Sequence, residues 1–114
     1  VEAIDAAIAC ARDAATAQGL HARFETGDAT EWALAQTEKP ALVVVNPPRR
    51  GIGKKLATAL NEGGARRILY SSCNPKTLAK DLQVLSNYRL RRARLFDMFP
   101  QTNHAEVLVE LLAD

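Results

Sequence analysis

Ile4, Ile8, Ala11 and Ala15 recur at the spacing of one helix face, and Gly19 follows. This pattern predicts an amphipathic helix that begins near Asp5 and is ended by glycine. "ARFETGD" reads as a short strand, and "ATEWALAQ" as a short helix whose Trp32 and Leu34 pack inward. "ALVVVN", Ala41 to Asn46, is an unbroken apolar and largely β-branched run. Such runs fit a strand buried on both faces of a parallel sheet. Pro47, Pro48, Gly51 and Gly53 then break regular structure and predict a loop. "KKLATALNEGG" predicts a helix, with Leu56 and Leu60 one turn apart, and "ARRILYSS" predicts the next strand. Leu78, Leu82 and Leu85 form the apolar face of a further helix, which Asn74 caps and Pro75 opens. "YRLRRARLF" reads as a strand with imperfect alternation, and "AEVLVELL", Ala105 to Leu112, as the last strand.

Strands alternating with helices imply an α/β fold, a parallel sheet with helices on both faces. The last two strands lack a helix between them, which predicts an antiparallel pair at one edge. Ligands of such sheets sit beyond the carboxyl ends of the strands. The polar loops fall there: Asp28, Asn46-Pro47-Pro48-Arg49 and Ser71-Ser72-Cys73-Asn74. Helix-like sequence follows directly after Val1-Glu2, with no preceding strand and no Gly-rich nucleotide turn. The chain therefore reads as the later part of a longer domain.

Composition narrows this little. Of 114 residues, 47% are hydrophobic and 25% charged, which fits a globular protein rather than a disordered one. No apolar run approaches the ~20 residues of a membrane helix, and no secretory leader is visible. Cys10 lies among small apolar residues at helical spacing and is expected to be buried. With only one other cysteine, Cys73, a reduced cytoplasmic protein is the expectation. The net charge is only +2, but arginines cluster at Arg49-Arg50, Arg66-Arg67 and Arg89, Arg91, Arg92 and Arg94. Solvated surface is the plain reading of these clusters, and a phosphate-facing patch the sharper one.

Cys73 follows a predicted strand and immediately precedes a helix start. The helix dipole and free N–H groups there stabilise a thiolate, so the position suits a nucleophile, although a structural cysteine at a strand end fits the same pattern. "DMFPQTNHAEV" offers Asp97, His104 and Glu106 as proton-handling partners, each of which could equally be an ordinary loop or edge residue. Asn46 ends a strand at the ligand edge, where its amide can donate and accept hydrogen bonds.

Taken together, "VNPPRRGIGKKL", "YSSCNPKTLAKDL" and "LFDMFPQTNHAEVLVEL" resemble the RNA uracil-5-methyltransferases that use S-adenosylmethionine. The resemblance runs along essentially the whole chain, with the motifs in the family's order. Asn46, where most members carry Asp, is most similar to the subgroup acting on 23S ribosomal RNA. The resemblance implies a Rossmann-like class I methyltransferase sheet that is incomplete here, lacking the first strand and the cofactor glycine turn. It implies Cys73 as nucleophile and Glu106 as base. It further implies Glu2 at the cofactor ribose, Asn46 on the cofactor side and Asp28 toward the adenine end. A 4Fe-4S cluster is expected only in an N-terminal region outside this chain, and no metal within it. The implied partner is 23S ribosomal RNA, with no membrane. The isolated chain is expected to be inactive and to self-associate through exposed sheet edges. Two rivals remain: an amino-group methyltransferase with an Asn-Pro-Pro loop, and a non-catalytic RNA-binding module.

Overall fold

The computed structural model describes residues 1–98, 101 and 104–114. These form two compact units, Val1–Gln36 and Thr37–Asp114.

The first unit holds helices α1 (Asp5–Ala17) and α2 (Ala29–Ala35). Helix α1 buries Ile8 and Ala15, two turns apart on one stripe. Cys10 is exposed, against expectation. It lies two residues from Ile8, about 200° round the helix, and so faces away from that stripe. The expected strand "ARFETGD" is reduced to one parallel bridge between Glu2 and Thr26. Glu2 N–H donates to the Glu25 carbonyl, and Gly27 N–H to that of Glu2, each at 3.0 Å. Because α1 begins at Asp5, the partner stretch is too short to extend this pairing. Helix α2 forms where expected, but Trp32 and Leu34 remain 37% and 68% exposed. A two-turn helix is marginal in isolation. Here its start is fixed by the Asp28 cap rather than by an inward apolar face.

The second unit is a four-stranded sheet in the order β1-β2-β4-β3. Its strands are β1 (Leu42–Val45), β2 (Arg67–Ser72), β3 (Tyr88–Phe96) and β4 (Glu106–Ala113), with helices α3 (Gly53–Gly63) and α4 (Pro75–Val84) between them. β1 and β2 are parallel, and β4 is antiparallel to both β2 and β3. The expected antiparallel pair is thus present, with β4 inserted between β2 and β3. Ile68, Tyr70, Val109 and Leu111 form one sheet face and pack with Ala57 of α3 and Leu78 of α4. Fully burying a side chain such as Ile68 or Leu85 contributes about 1.5–3 kcal/mol.

β1 departs from the sequence expectation. Its burial alternates, with Leu42 40% and Val44 64% exposed. Val43 and Val45 pack on the core, while Leu42 and Val44 point to the opposite face. The imperfect alternation of β3 has a physical cause: a register shift between Leu90 and Arg92 makes Arg91 an extra residue. Arg91 and Arg92 both reach the buried Glu110, as does Arg67 from β2, at 3.7, 3.0 and 3.3 Å.

Candidate active site

Cys73 occupies the single turn between the end of β2 and the start of α4, where it is half-buried. Its neighbours fix that turn. The Ser72 hydroxyl accepts from the Asn74 N–H and donates to the Asn74 carbonyl, both at 3.0 Å. The Asn74 side chain accepts from the Lys76 N–H at 3.1 Å, capping α4, and Pro75 occupies its first turn. The thiol therefore stands at the positive end of a ten-residue helix.

Glu106 is the first residue of β4 and is half-buried. The β2–β4 ladder ends at the pair Ser72 and Val107, and one residue beyond it on the two strands stand Cys73 and Glu106. The Ser71 hydroxyl donates to Glu106 Oε2 at 3.1 Å, holding the carboxylate at this end of the sheet.

Asn46 follows β1 at the same edge, because β1 runs parallel to β2 and Val45 pairs with Tyr70. Its side chain is exposed. The loop after it is tied to α4 at two points. The Arg49 carbonyl accepts from Thr77 Oγ1 at 2.8 Å and from Asn74 Nδ2 at 3.1 Å. Asp81 Oδ2 accepts from the Ile52 N–H at 2.9 Å and from the Tyr70 hydroxyl at 2.5 Å. Gly51 sits between these ties with φ +80°, and a Cβ there would lie 2.5 Å from Asp81 Oδ2, so no side chain fits.

Arg49 Nη1 lies 3.3 Å from His104 Nδ1, linking the loop to the segment before β4. Asp97 is exposed. Phe99, Pro100, Thr102 and Asn103 of the same motif lie outside the described residues.

Glu2 and Asp28 belong to the first unit. Glu2 is exposed and accepts from the Ile4 N–H through Oε1 at 3.2 Å. Asp28 Oδ1 accepts from the N–H groups of Thr30 and Glu31 at 2.8 and 3.0 Å. Asp28 thus has a local structural role as the cap of α2. The exposed Asn46 amide, just past the end of β1, can both donate and accept hydrogen bonds. Among the described residues no group of three or more His, Cys, Asp or Glu is placed to hold a metal.

Sequence reasoning placed Ser71 at the ligand edge without a role, and missed Tyr70, Thr77 and Asp81. One signal was available: Asp81 is three residues after Leu78 and so borders the apolar stripe of α4, an unusual place for a carboxylate. Burial, and then the hydrogen bond to Asp81, hold the Tyr70 phenol well above its ordinary value of 10.0. Tyr70 therefore remains an O–H donor throughout the neutral range. The Arg92 hydrogen bond, aided by Arg67 and Arg91, holds the Glu110 carboxyl below the ordinary 4.5.

Comparison with known proteins decides the family. The profile described as tRNA (Uracil-5-)-methyltransferase matches residues 24–113. The chain belongs to the tRNA (uracil-5-)-methyltransferase family. It is 54% identical to the 23S rRNA (uracil(747)-C(5))-methyltransferase RlmC of Proteus mirabilis, over 98% of this chain and 30% of that protein. It is 56% identical to the RlmC of Shewanella loihica, over 92% of this chain and 28% of that one. The chain thus spans less than a third of the length of these curated relatives. Among solved structures it resembles the Pyrococcus abyssi tRNA (uracil-54, C5)-methyltransferase in complex with S-adenosyl-L-homocysteine. That match has TM-score 0.86 and 34% identity, and covers 96% of this chain and 27% of that one. TrmN from Thermus thermophilus shares the fold, with TM-score 0.70 and 22% identity over 98% of this chain and 35% of its own. As a uracil-5-methyltransferase family member, the chain has the Rossmann-like fold of S-adenosylmethionine-dependent methyltransferases.

Proposed function

We propose that this chain is part of an enzyme that methylates C5 of a uridine in 23S ribosomal RNA, with Cys73 as nucleophile and Glu106 as base. The observation that carries the reading is the placement of Cys73 at the start of α4 and of Glu106 at the start of β4, each one residue past the last β2–β4 pair. Uracil C5 is too weak a nucleophile to be methylated unaided. Addition of the Cys73 thiolate to C6 moves the ring electrons toward C5 and O4, giving C5 enolate character. S-adenosylmethionine, when bound, supplies the methyl group that C5 takes up. The Glu106 carboxylate then accepts the C5 proton, the C5–C6 double bond re-forms, and Cys73 Sγ leaves with the electrons of its bond to C6. The uridine must leave its stack to reach both groups. Asn46, Glu2 and Asp28 are the residues of this chain that would hold the cofactor.

The two cysteines of the chain cannot supply four thiolates. A 4Fe-4S cluster, in our reading, belongs to another part of the whole protein. We place the reaction in the cytoplasm, consistent with the free cysteines. The isolated chain, bearing exposed Leu42 and Val44 on an edge strand, is expected to self-associate and to lack turnover of its own.

The test is Cys73→Ala in the whole protein, with 23S ribosomal RNA as substrate. Loss of all methylation, together with loss of the covalent complex that wild-type protein forms with 5-fluorouracil-substituted RNA, is expected. Retained methylation would identify an amino-group methyltransferase, and RNA binding without either reaction a non-catalytic module.

A further inference from the structure

Asp81 is buried at 5% exposure, yet forms no ion pair among the described residues. A buried carboxylate without a cation is costly and needs donors to offset its desolvation. Its Oδ2 has two, the Tyr70 hydroxyl and the Ile52 N–H. Tyr70 lies on β2, three residues before Cys73, while Ile52 ends the loop that begins at Asn46. One oxygen atom therefore ties the strand leading to the nucleophile to the loop on the cofactor side. Asn74, Thr77 and Asp81 follow one another at helical spacing along α4, and all three bond the same loop. Gly51 lets that loop approach to contact distance, since any side chain would strike the carboxylate.

From this geometry we propose that Asp81, with Tyr70, is a positioning residue that sets the Asn46–Arg49 loop against Cys73, so that the methyl donor meets the activated C5. The inference rests on the uracil-C5 reading. It assigns Asp81 no contact with substrate. Removing the tie should leave thiolate addition intact and misplace only the donor side. Misplacement of reacting groups by about 1 Å can cost on the order of a hundredfold in rate.

The two halves of the reaction separate experimentally. Without donor, addition of Cys73 to C6 lets C5 take a proton from water. Loss of the original C5 proton and expulsion of the thiolate then restore uracil, so its C5 hydrogen exchanges with solvent. Exchange in deuterated water reports addition and proton removal, whereas methyl incorporation reports the donor side as well.

In the whole protein, Asp81→Ala is expected to keep exchange within about threefold of wild type. Its kcat/KM for S-adenosylmethionine should fall by about tenfold or more, mainly through KM. Asp81→Asn should stay near wild type in both assays, because its amide oxygen can stand where Oδ2 stands and accept from the same two donors. Thr77→Val, which removes the Oγ1 bond to the Arg49 carbonyl together with the local one to the Asn74 carbonyl, should show the same split more weakly, and it decides the question if Asp81→Ala does not fold. Variants equal to wild type in both assays, or exchange and methylation falling in parallel, would overturn the inference. A wild-type protein showing neither reaction would instead overturn the uracil-C5 reading on which it rests.

Discussion

The hydroxyl of Ser71, two residues before Cys73, donates a 3.1 Å hydrogen bond to the carboxylate of Glu106. The bond ties the proposed base to the strand that leads into the proposed nucleophile. Hydrogen bonds to charged groups are worth about 1.5–3 kcal/mol. Ser71→Ala in the whole protein should therefore slow turnover roughly tenfold. Glu106→Gln should be more severe, on the order of 10²–10⁴-fold. It should also accumulate a covalent RNA complex on denaturing gels, since addition proceeds and proton removal stalls. Unchanged turnover in Glu106→Gln would remove Glu106 from the mechanism.

Glu110 offers a pH-dependent test of stability. Its native carboxyl is held below the ordinary 4.5, first by the Arg92 hydrogen bond. A depressed native value means that its contribution is fully present above the ordinary carboxylate value. It is lost as pH falls through the native one. Glu110→Gln should thus lower the melting temperature at neutral pH, and the gap to wild type should close in acid. The variant also leaves Arg67, Arg91 and Arg92 without their shared counter-charge. Equal melting temperatures at pH 7 would contradict the assignment.

Arg50, Lys54 and Lys80 line a groove of about 350 Å³ beside Thr77 and Asp81, and none of the three has an ion-pair partner among the described residues. This makes the groove the better-placed of the cationic clusters for an RNA backbone, because the arginines around Glu110 are already paired. Replacing all three with alanine in the whole protein should weaken RNA binding. It should also flatten the slope of log affinity against log salt by about 0.7 for each phosphate that is no longer neutralised. A slope unchanged within error would place the backbone elsewhere.

The β1 edge predicts the behaviour of the isolated chain. Among the described residues β1 pairs only with β2, and its apolar Leu42 and Val44 are exposed. Solution scattering should show concentration-dependent association, and Val44→Lys should reduce it, since an edge lysine discourages strand pairing. A monomer at all concentrations would refute this.

Much of the fold is legible in the pattern of residues. The periods around Ile8, Leu56 and Leu78 mark their helices, and β1 and β2 stand where apolar runs predict strands. Most failures share a cause. Trp32, Leu34 and Val44 are apolar residues whose burial depends on a neighbour that local sequence does not specify, whereas Cys10 faces away from the Ile8 stripe by helical period alone. The motif around Cys73 was visible because helix capping by Asn74 and Pro75 is a local affair. The register that sets Glu106 beside the end of β2 was not, since thirty-two residues lie between Cys73 and Glu106.

The order of residues is enough to specify most of the elements, the position of Cys73 at a helix start and the family, because capping, period and turn chemistry act over a few residues. It takes the packed chain to make Ser71 hold Glu106 and to join Tyr70 to Ile52 through one oxygen of Asp81. Those bonds arise when strands and helices distant along the chain come together. Burial then requires each polar group in the interface to find a partner there.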